Sequence, residues 1–277
     1  MDRRLTPANA RVALESLRGL VDAPRFMPGE PAQVAAPLAD LLKSPGGARD
    51  RQLLCGDPVT VIERHEGWAF LQAAKDGYCG YLPESLLGPA STATHWVATP
   101  ATHLYDGPKV QHRELACLYM GTRLRVTGQL GAWAETPQGF VPASHIKPLG
   151  QHHADPATVA QMFLHTPYLW GGNSRAGIDC SGLVQIAFQA CGIALPGDSD
   201  LQAVCGQPMP DDQPLRRNDL IFWKGHVAIA LAADRMIHAT AATMSVTEEP
   251  IPAAIARIEA AGDGPVTARR RVAGSAS

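Results

Sequence analysis

The sequence predicts a multidomain chain in which two small all-β barrels precede an α+β domain. Three observations lead there: 277 residues exceed what one core usually organises, positions 34–88 and 97–148 resemble each other, and the remainder reads as helix, helix, then strands.

Composition narrows what such a chain can do. Apolar residues make up 45% and charged residues 18%, enough to bury a core. The formal net charge is -2, and the one basic run is Arg269-Arg270-Arg271. No broad footprint for nucleic acid is present, so a polyanion is not the expected partner. No membrane span is expected, and the start "MDRRLTPANARVALESL" lacks the apolar core of a signal peptide. These features predict a cytoplasmic protein. Six cysteines show no CxxC pair and no zinc-ligand spacing, so neither structural disulfides nor a metal site is expected.

Taken in order, residues 1–25 include "TPANARVALESLRGLVDA", read as a short N-terminal helical segment. The repeat follows. "VAAPLADLL", "PVTVIERHEGWAFL" and "GYCGYLPESLLG" correspond to "VATPATHLY", "TRLRVTGQLGAWAET" and "GFVPASHIKP". Val97 lies 63 residues after Val34, and Trp133 lies 65 after Trp68. Each copy has alternating β-type runs, a polar break, a Trp and a Gly-containing strand, which predicts a barrel of about five or six strands. The pattern resembles tandem bacterial SH3-like domains, at 26–90 and 91–149, with both tryptophans expected in the barrel cores. "LGQHHADPAT" then reads as a linker, and Pro156 marks a helix start.

The last domain, 154–277, has helices in "TVAQMFLHT" and "DCSGLVQIAFQACG" and strands in "DLIFW", "HVAIAL", "RMIHAT" and "MSVTEE". Asp179 is a good N-cap, which places Cys180 at the first helical position with Leu183, Val184, Ala187 and Phe188 on a buried stripe. A thiol at the positive end of a helix, given a basic partner, is expected to ionise near neutral pH. Gly177 and Gly182 are expected to leave room for a substrate backbone. Taken alone, Cys180 also fits a buried structural cysteine.

A nucleophilic thiol needs an imidazole, and the imidazole needs an orienting group. His226 opens one β-run and His238 closes the next. A three-residue loop at Ala232-Ala233-Asp234 pairs Leu231 with Arg235 and sets both histidines on one face; a two-residue turn separates them.

"TPYLWGGNSRAGIDCSGLVQIAF", "LPGDSDLQ", "NDLIFW", "HVAIAL" and "RMIHA" together resemble the NlpC/p60 cysteine peptidases in order and spacing. That resemblance implies a papain-like, NlpC-type fold and hydrolysis of peptidoglycan stem peptides, often behind SH3-like domains. It makes Cys180 the nucleophile, His226 the base and His238 the orienting residue. Tyr168 would help polarise the scissile carbonyl together with the Cys180 amide, while Asp179 and Ser181 would bind substrate peptide groups. The chain departs from the family's P-G-D-L turn at Arg217-Asn218-Asp219-Leu220, and has Ala232-Ala233-Asp234 where a Gly-rich hairpin is common.

Asp198, with Ser199, singles out a substrate. A carboxylate facing the cleft would pair with the free α-amine of an N-terminal L-Ala, a cation absent from the intact wall. This resembles the branch with SH3-like domains that cleaves between γ-D-Glu and the diamino acid, diaminopimelate or Lys. In that branch a tyrosine from the first barrel closes the pocket. Tyr78, on the face opposite Tyr81, is the better candidate. Murein peptide recycling on a free stem peptide, with no cofactor, is the role this implies. An exported endopeptidase acting on intact peptidoglycan and a non-catalytic wall-binding protein are the alternatives.

Overall fold

Alternating apolar positions in both copies of the repeat become antiparallel strands in the computed structural model, which describes residues 1–272. Residues 273–277, the end of the expected last domain, lie outside the described residues. The chain divides into two units, Met1–Leu149 and Gly150–Ser277.

In the first unit, Leu38–Leu42 pairs with Arg49–Leu54 on one side and Cys79–Pro83 on the other, and the sheet continues through Trp68–Ala73, Pro58–His65, Glu30–Val34 and Leu87–Pro89. The second copy repeats these neighbours: Ala101–Tyr105 lies between Glu114–Tyr119 and Gly139–Pro142, beside Trp133–Thr136. Each copy closes with a 3-10 turn, Glu84–Leu86 or Ala143–His145. The copies differ at one strand. Pro58–His65 is continuous, whereas its counterpart is broken into Arg123–Leu124 and Gly128–Leu130, so the second copy has two sheets.

Inward positions fill two cores. Val34, Leu41, Leu53, Leu71 and Leu82 are fully buried in the first, and Val97, Leu104, Leu118, Leu124, Ala134 and Val141 pack together in the second. Trp68 and Trp133 are only half-buried. Strand alternation gives the inward position to the next residue, Ala69 or Ala134, and Trp133 packs edge-on to Tyr105 at 5.2 Å.

The N-terminal segment is not the expected helix. Asn9 Oδ1 accepts from the backbone N–H groups of Arg11 and Val12, which turns the chain. Val12 then enters a cluster with Ile62, Phe70 and Cys79, and Ala13–Leu14 pairs in parallel with Phe26–Met27. Only Glu15–Leu17 is helical, as one 3-10 turn. Docking apolar residues on a neighbouring sheet outweighs the weak local helix preference.

The second unit contains helices α1 (Pro156–Gln161), α2 (Cys180–Gln189), α3 (Ser199–Gln202) and α4 (Ile251–Ala260). Its antiparallel sheet runs Gln207–Pro208, Ala268–Arg271, Leu220–Trp223, His226–Ala230, Arg235–Thr240, Ser245–Pro250. Helix α4 packs Ile251, Ala254 and Ile258 onto the face bearing Ala228, Ala230 and Met236. Helices α1 and α2 lie against the central strands, where Val227, Ile229, Ile237 and Ala239 are fully buried. Arg269 and Arg270 donate to the carbonyls of Asp211 and Ala203, and Arg271 pairs with Asp219. The basic run is therefore tied into the sheet. Among the described residues no helix is long and apolar enough to cross a membrane.

One acid joins α1 to the sheet. Asp155 caps α1 by accepting from the Thr158 N–H, and also accepts from Arg217 and Asn218 Nδ2. Asn218 takes φ 74°, a left-handed conformation that asparagine tolerates, so it can stand where the P-G-D-L turn of the peptidases that the sequence resembles has glycine. Burial opposes the Asp155 charge, but hydrogen bonds from Arg217, Thr158 and Asn218 outweigh it and hold the carboxyl at about 2, below its ordinary 3.8. A group lowered in the folded state contributes stability above its ordinary value and loses it on acidification. Asp155→Ala is expected to destabilise the protein by about 1–2 kcal/mol at pH 7, as for a lost N-cap. In urea melts that difference should shrink as pH falls from about 4 toward 2.

Candidate active site

The start of α2 is built around one carboxylate. Asp179, extended at φ -98°, accepts from Gly182 N–H at 2.6 Å, Ser181 Oγ at 3.0 Å and Gly171 N–H at 2.8 Å. These bonds satisfy an orphan helix amide and pull the loop before the Asn173–Ser174 and Gly177–Ile178 hairpin onto the helix. The side chains of Asp179 and Ser181 are thus bonded to each other and to the backbone within the fold.

The glycines have a different task from the one expected. A Cβ on Gly182 would stand 2.4 Å from the Gly172 carbonyl oxygen, and one on Gly177 would stand 2.6 Å from the Leu169 side chain. Both positions admit neighbouring chain, and the protein itself fills the space reserved for substrate.

Cys180 opens α2 with 6% of its surface exposed. Its Sγ lies 4.0 Å from the Gly225 carbonyl oxygen, which places it beside the turn leading into the His226 strand. Trp223 pairs with His226, so Lys224 and Gly225 form that turn, and Gly225 takes φ 74°. The next hairpin has the register the histidine argument requires. Ile229 faces Ile237, Ala230 faces Met236, and the Leu231 N–H donates to the Arg235 carbonyl. His226 and His238 consequently share a face, with His226 Nε2 2.8 Å from His238 Nδ1.

Two residues absent from the sequence reading complete this line. His238 Nε2 lies 2.7 Å from Glu249 Oε1, and Arg257 of α4 pairs with the same carboxylate oxygen. Glu249 faces Met236 while Thr247 faces His238, so Glu249 is the diagonal same-face neighbour of His238. The length of the Ala241–Met244 connection carries that signal in the sequence; nothing local points to Arg257.

The remaining expected residues are distributed as follows. Tyr168 is half-buried, bridges to Ile178, and donates its backbone N–H to Met244. Burial, then the neighbouring Cys180 and Asp179 charges, push its phenol up. Asp198 occupies the N-cap position of α3 without a side-chain capping bond, and Ser199 is the first helical residue; both are half-buried. Gln202 secures their segment: its Nε2 donates to the Ser181 and Pro196 carbonyls at 2.9 Å each. Tyr78 belongs to the first unit and is fully buried, with the Arg51 guanidinium 5.1 Å from its ring centroid. Tyr81 keeps some exposure and packs on Phe70 at 5.1 Å.

Electrostatics reverse the expected resting state. Burial and then the Asp179 charge push the Cys180 thiol up to about 12, although the amides of Val227, Ser181 and Cys180 favour the thiolate. Burial comes first, then the repulsion that His238 exerts when protonated and that of Arg257; together they bring His226 down to about 3. Both shifts favour a neutral thiol beside a neutral imidazole; the helix amides do not offset the desolvation.

Sequence comparison places residues 165–257 in a match to the NlpC/P60 family and residues 41–87 in a match to the bacterial dipeptidyl-peptidase SH3 domain. A γ-D-glutamyl-L-lysine dipeptidyl-peptidase of Bacillus cereus (strain ATCC 10987 / NRS 248) is 28% identical over 236 residues, covering 73% of this chain and 70% of that protein. A protein of the same name from Bacillus subtilis (strain 168) is 29% identical over 210 residues, 68% of this chain and 71% of that one. The crystal structure of an NlpC/P60 family protein from Bacillus cereus ATCC 10987 shares the fold, with a TM-score of 0.73 at 23% identity over 87% of this chain and 99% of that one.

A neutral resting pair makes a testable statement about the thiol. Iodoacetamide labelling of Cys180, followed by peptide mass spectrometry, is expected to accelerate about tenfold per pH unit without a plateau below pH 9. A plateau near neutral pH would instead reveal a resting thiolate. Gly182→Ala is expected to abolish activity and lower the melting temperature, because the Gly172 carbonyl leaves no room for a methyl group.

Proposed function

We propose that this chain, a cysteine peptidase with an NlpC/P60 domain and an SH3 domain of the bacterial dipeptidyl-peptidase kind, hydrolyses the bond between γ-D-Glu and the diamino acid of free murein stem peptides. The observation that carries the reading is the placement of Cys180 beside the Gly225 turn that launches His226, with His226 bonded to His238. Residues 95–148 are read as a second SH3-like domain because they repeat the strand order of the first. The cysteine helix against an antiparallel sheet bearing both histidines supports a papain-like arrangement, within the boundaries 26–90, 91–149 and 154–277.

The chemistry follows from these positions. Cys180 Sγ attacks the γ-carbonyl of D-Glu while its proton passes to His226 Nδ1, the nitrogen not engaged by His238. The Cys180 amide and the Tyr168 hydroxyl receive the developing oxyanion. Collapse breaks the C–N bond, and the departing amine of the diamino acid takes the proton from His226. Water, deprotonated by His226, then cleaves the thioester and restores the thiol.

Substrate choice rests on Asp198 and Ser199. Their segment is bonded to the first turn of the nucleophile helix through Gln202, which supports a carboxylate near the cleft that pairs with the α-amine of L-Ala. Relatives named dipeptidyl-peptidases support the same preference, since that activity begins from a free amino end. A peptidase with this demand suits recycling of released peptides in the cytoplasm.

The test is incubation with L-Ala-γ-D-Glu-diaminopimelate, its lysine counterpart and the N-acetylated forms, with products followed by mass spectrometry. Free peptides should be cleaved and acetylated ones spared, with no turnover in Cys180→Ala. Asp198→Asn is expected to raise KM for the free peptide at least about tenfold and narrow the gap to the acetylated one. Equal cleavage of both forms would remove the free-peptide reading and leave the peptidase.

A further inference from the structure

We propose that Glu249, anchored by Arg257, is a positioning residue that sets the tautomers of both active-site imidazoles and so directs the unprotonated Nδ1 of His226 toward Cys180. The inference rests on the assignment of Cys180 and His226 as nucleophile and base. It extends the line of hydrogen bonds by two residues that the family resemblance did not supply.

Donors and acceptors along the line fix each proton in turn. An ionised carboxylate accepts and cannot donate, so the 2.7 Å contact from Glu249 Oε1 requires a proton on His238 Nε2. Burial opposes the Glu249 charge, but hydrogen bonds from His238, the largest influence, and from Arg257 hold the carboxyl down at about 2. A neutral His238 protonated at Nε2 has its lone pair on Nδ1. The 2.8 Å contact then requires His226 to donate from its own Nε2. A neutral His226 protonated there has its lone pair on Nδ1, where a proton leaving sulfur can be accepted.

Without the carboxylate, His238 gains a second arrangement. It can carry its proton on Nδ1 and donate toward His226 Nε2, which moves the His226 proton to Nδ1 and blocks the base. The charged groups that act on His226 beside His238 are Arg257 and Glu249, and the Cys180 thiol lies at the turn just before it. Glu249 is the one whose oxygen meets the His238 ring nitrogen. The strand supplying it and the helix supplying Arg257 meet at Pro250, so one strand-to-helix joint fixes both partners.

The experiment compares Glu249→Leu, Glu249→Gln and Arg257→Met with wild type on L-Ala-γ-D-Glu-diaminopimelate, alongside Cys180→Ala. Imidazole 15N NMR reads the tautomers directly. Wild-type spectra should show His226 and His238 both protonated at Nε2. Glu249→Leu should lose at least about tenfold in kcat with KM changed less than twofold, and should lower the Nε2 population of His226. Glu249→Gln, whose amide oxygen still accepts, should keep kcat within about threefold of wild type. Arg257→Met should fall between them. A wild-type His226 protonated at Nδ1 overturns the proposal even if Glu249→Leu fails to fold. So does an unchanged kcat in Glu249→Leu, or equal losses in the Leu and Gln variants. Turnover in Cys180→Ala would instead defeat the nucleophile assignment on which the proposal rests.

Discussion

The bonds made by the Asp179 carboxylate are the constraint on which the second unit depends. One buried side chain caps α2, holds Ser181 Oγ and ties down Gly171, which fixes where Cys180 stands. Leaving such a buried network unsatisfied costs about 1–3 kcal/mol per group, so the joint is strongly determined. Gly172, Gly177 and Gly182 make it possible, because two chain segments approach closer than any side chain permits. The same carboxylate acts against the thiolate beside it. Rigid placement of the sulfur and easy ionisation of the sulfur are opposed at this position.

That opposition explains the form of the site. A desolvated thiol and a desolvated imidazole each favour the neutral state, so in the proposed mechanism ionisation is a proton exchange between them. Such an exchange depends on which imidazole nitrogen carries a proton. The His238, Glu249 and Arg257 line, to which the proposal gives that task, lies on the sheet face that α4 covers. Basic and acidic residues that could have served a surface are used internally in this unit: Arg271 on Asp219, and Arg217 on Asp155. Asn218 supplies both a left-handed backbone and a bond to Asp155.

The first unit shows how much a repeat can carry and where it fails. Matching alternation gave both copies the same strand neighbours, yet a break at Arg125–Thr127 in the second divides its sheet. Burial of the aromatics did not follow from pattern. Trp68 and Trp133 stay half-buried beside inward alanines, and Tyr78 is the more buried of the two tyrosines flanking Cys79-Gly80. Alternation says which residues share a face; which face is covered depends on the segments packed over it. Residues 1–25 make that point directly, since apolar docking by Val12 replaced a plausible helix.

The sequence by itself determined the repeat and the capped cysteine helix, and made the same-face pairing of His226 and His238 conditional on a three-residue hairpin loop. Each depends on local rules: strand period, N-cap chemistry and hairpin loop length. It could not determine the resting protonation of Cys180, because desolvation is set by everything packed around the sulfur. Nor could it reveal Arg257, whose partner lies eight residues earlier across a strand-to-helix joint. Tertiary structure decided those matters, for a physical reason: hydrogen-bond direction and local dielectric are properties of a filled volume, not of neighbours along the chain.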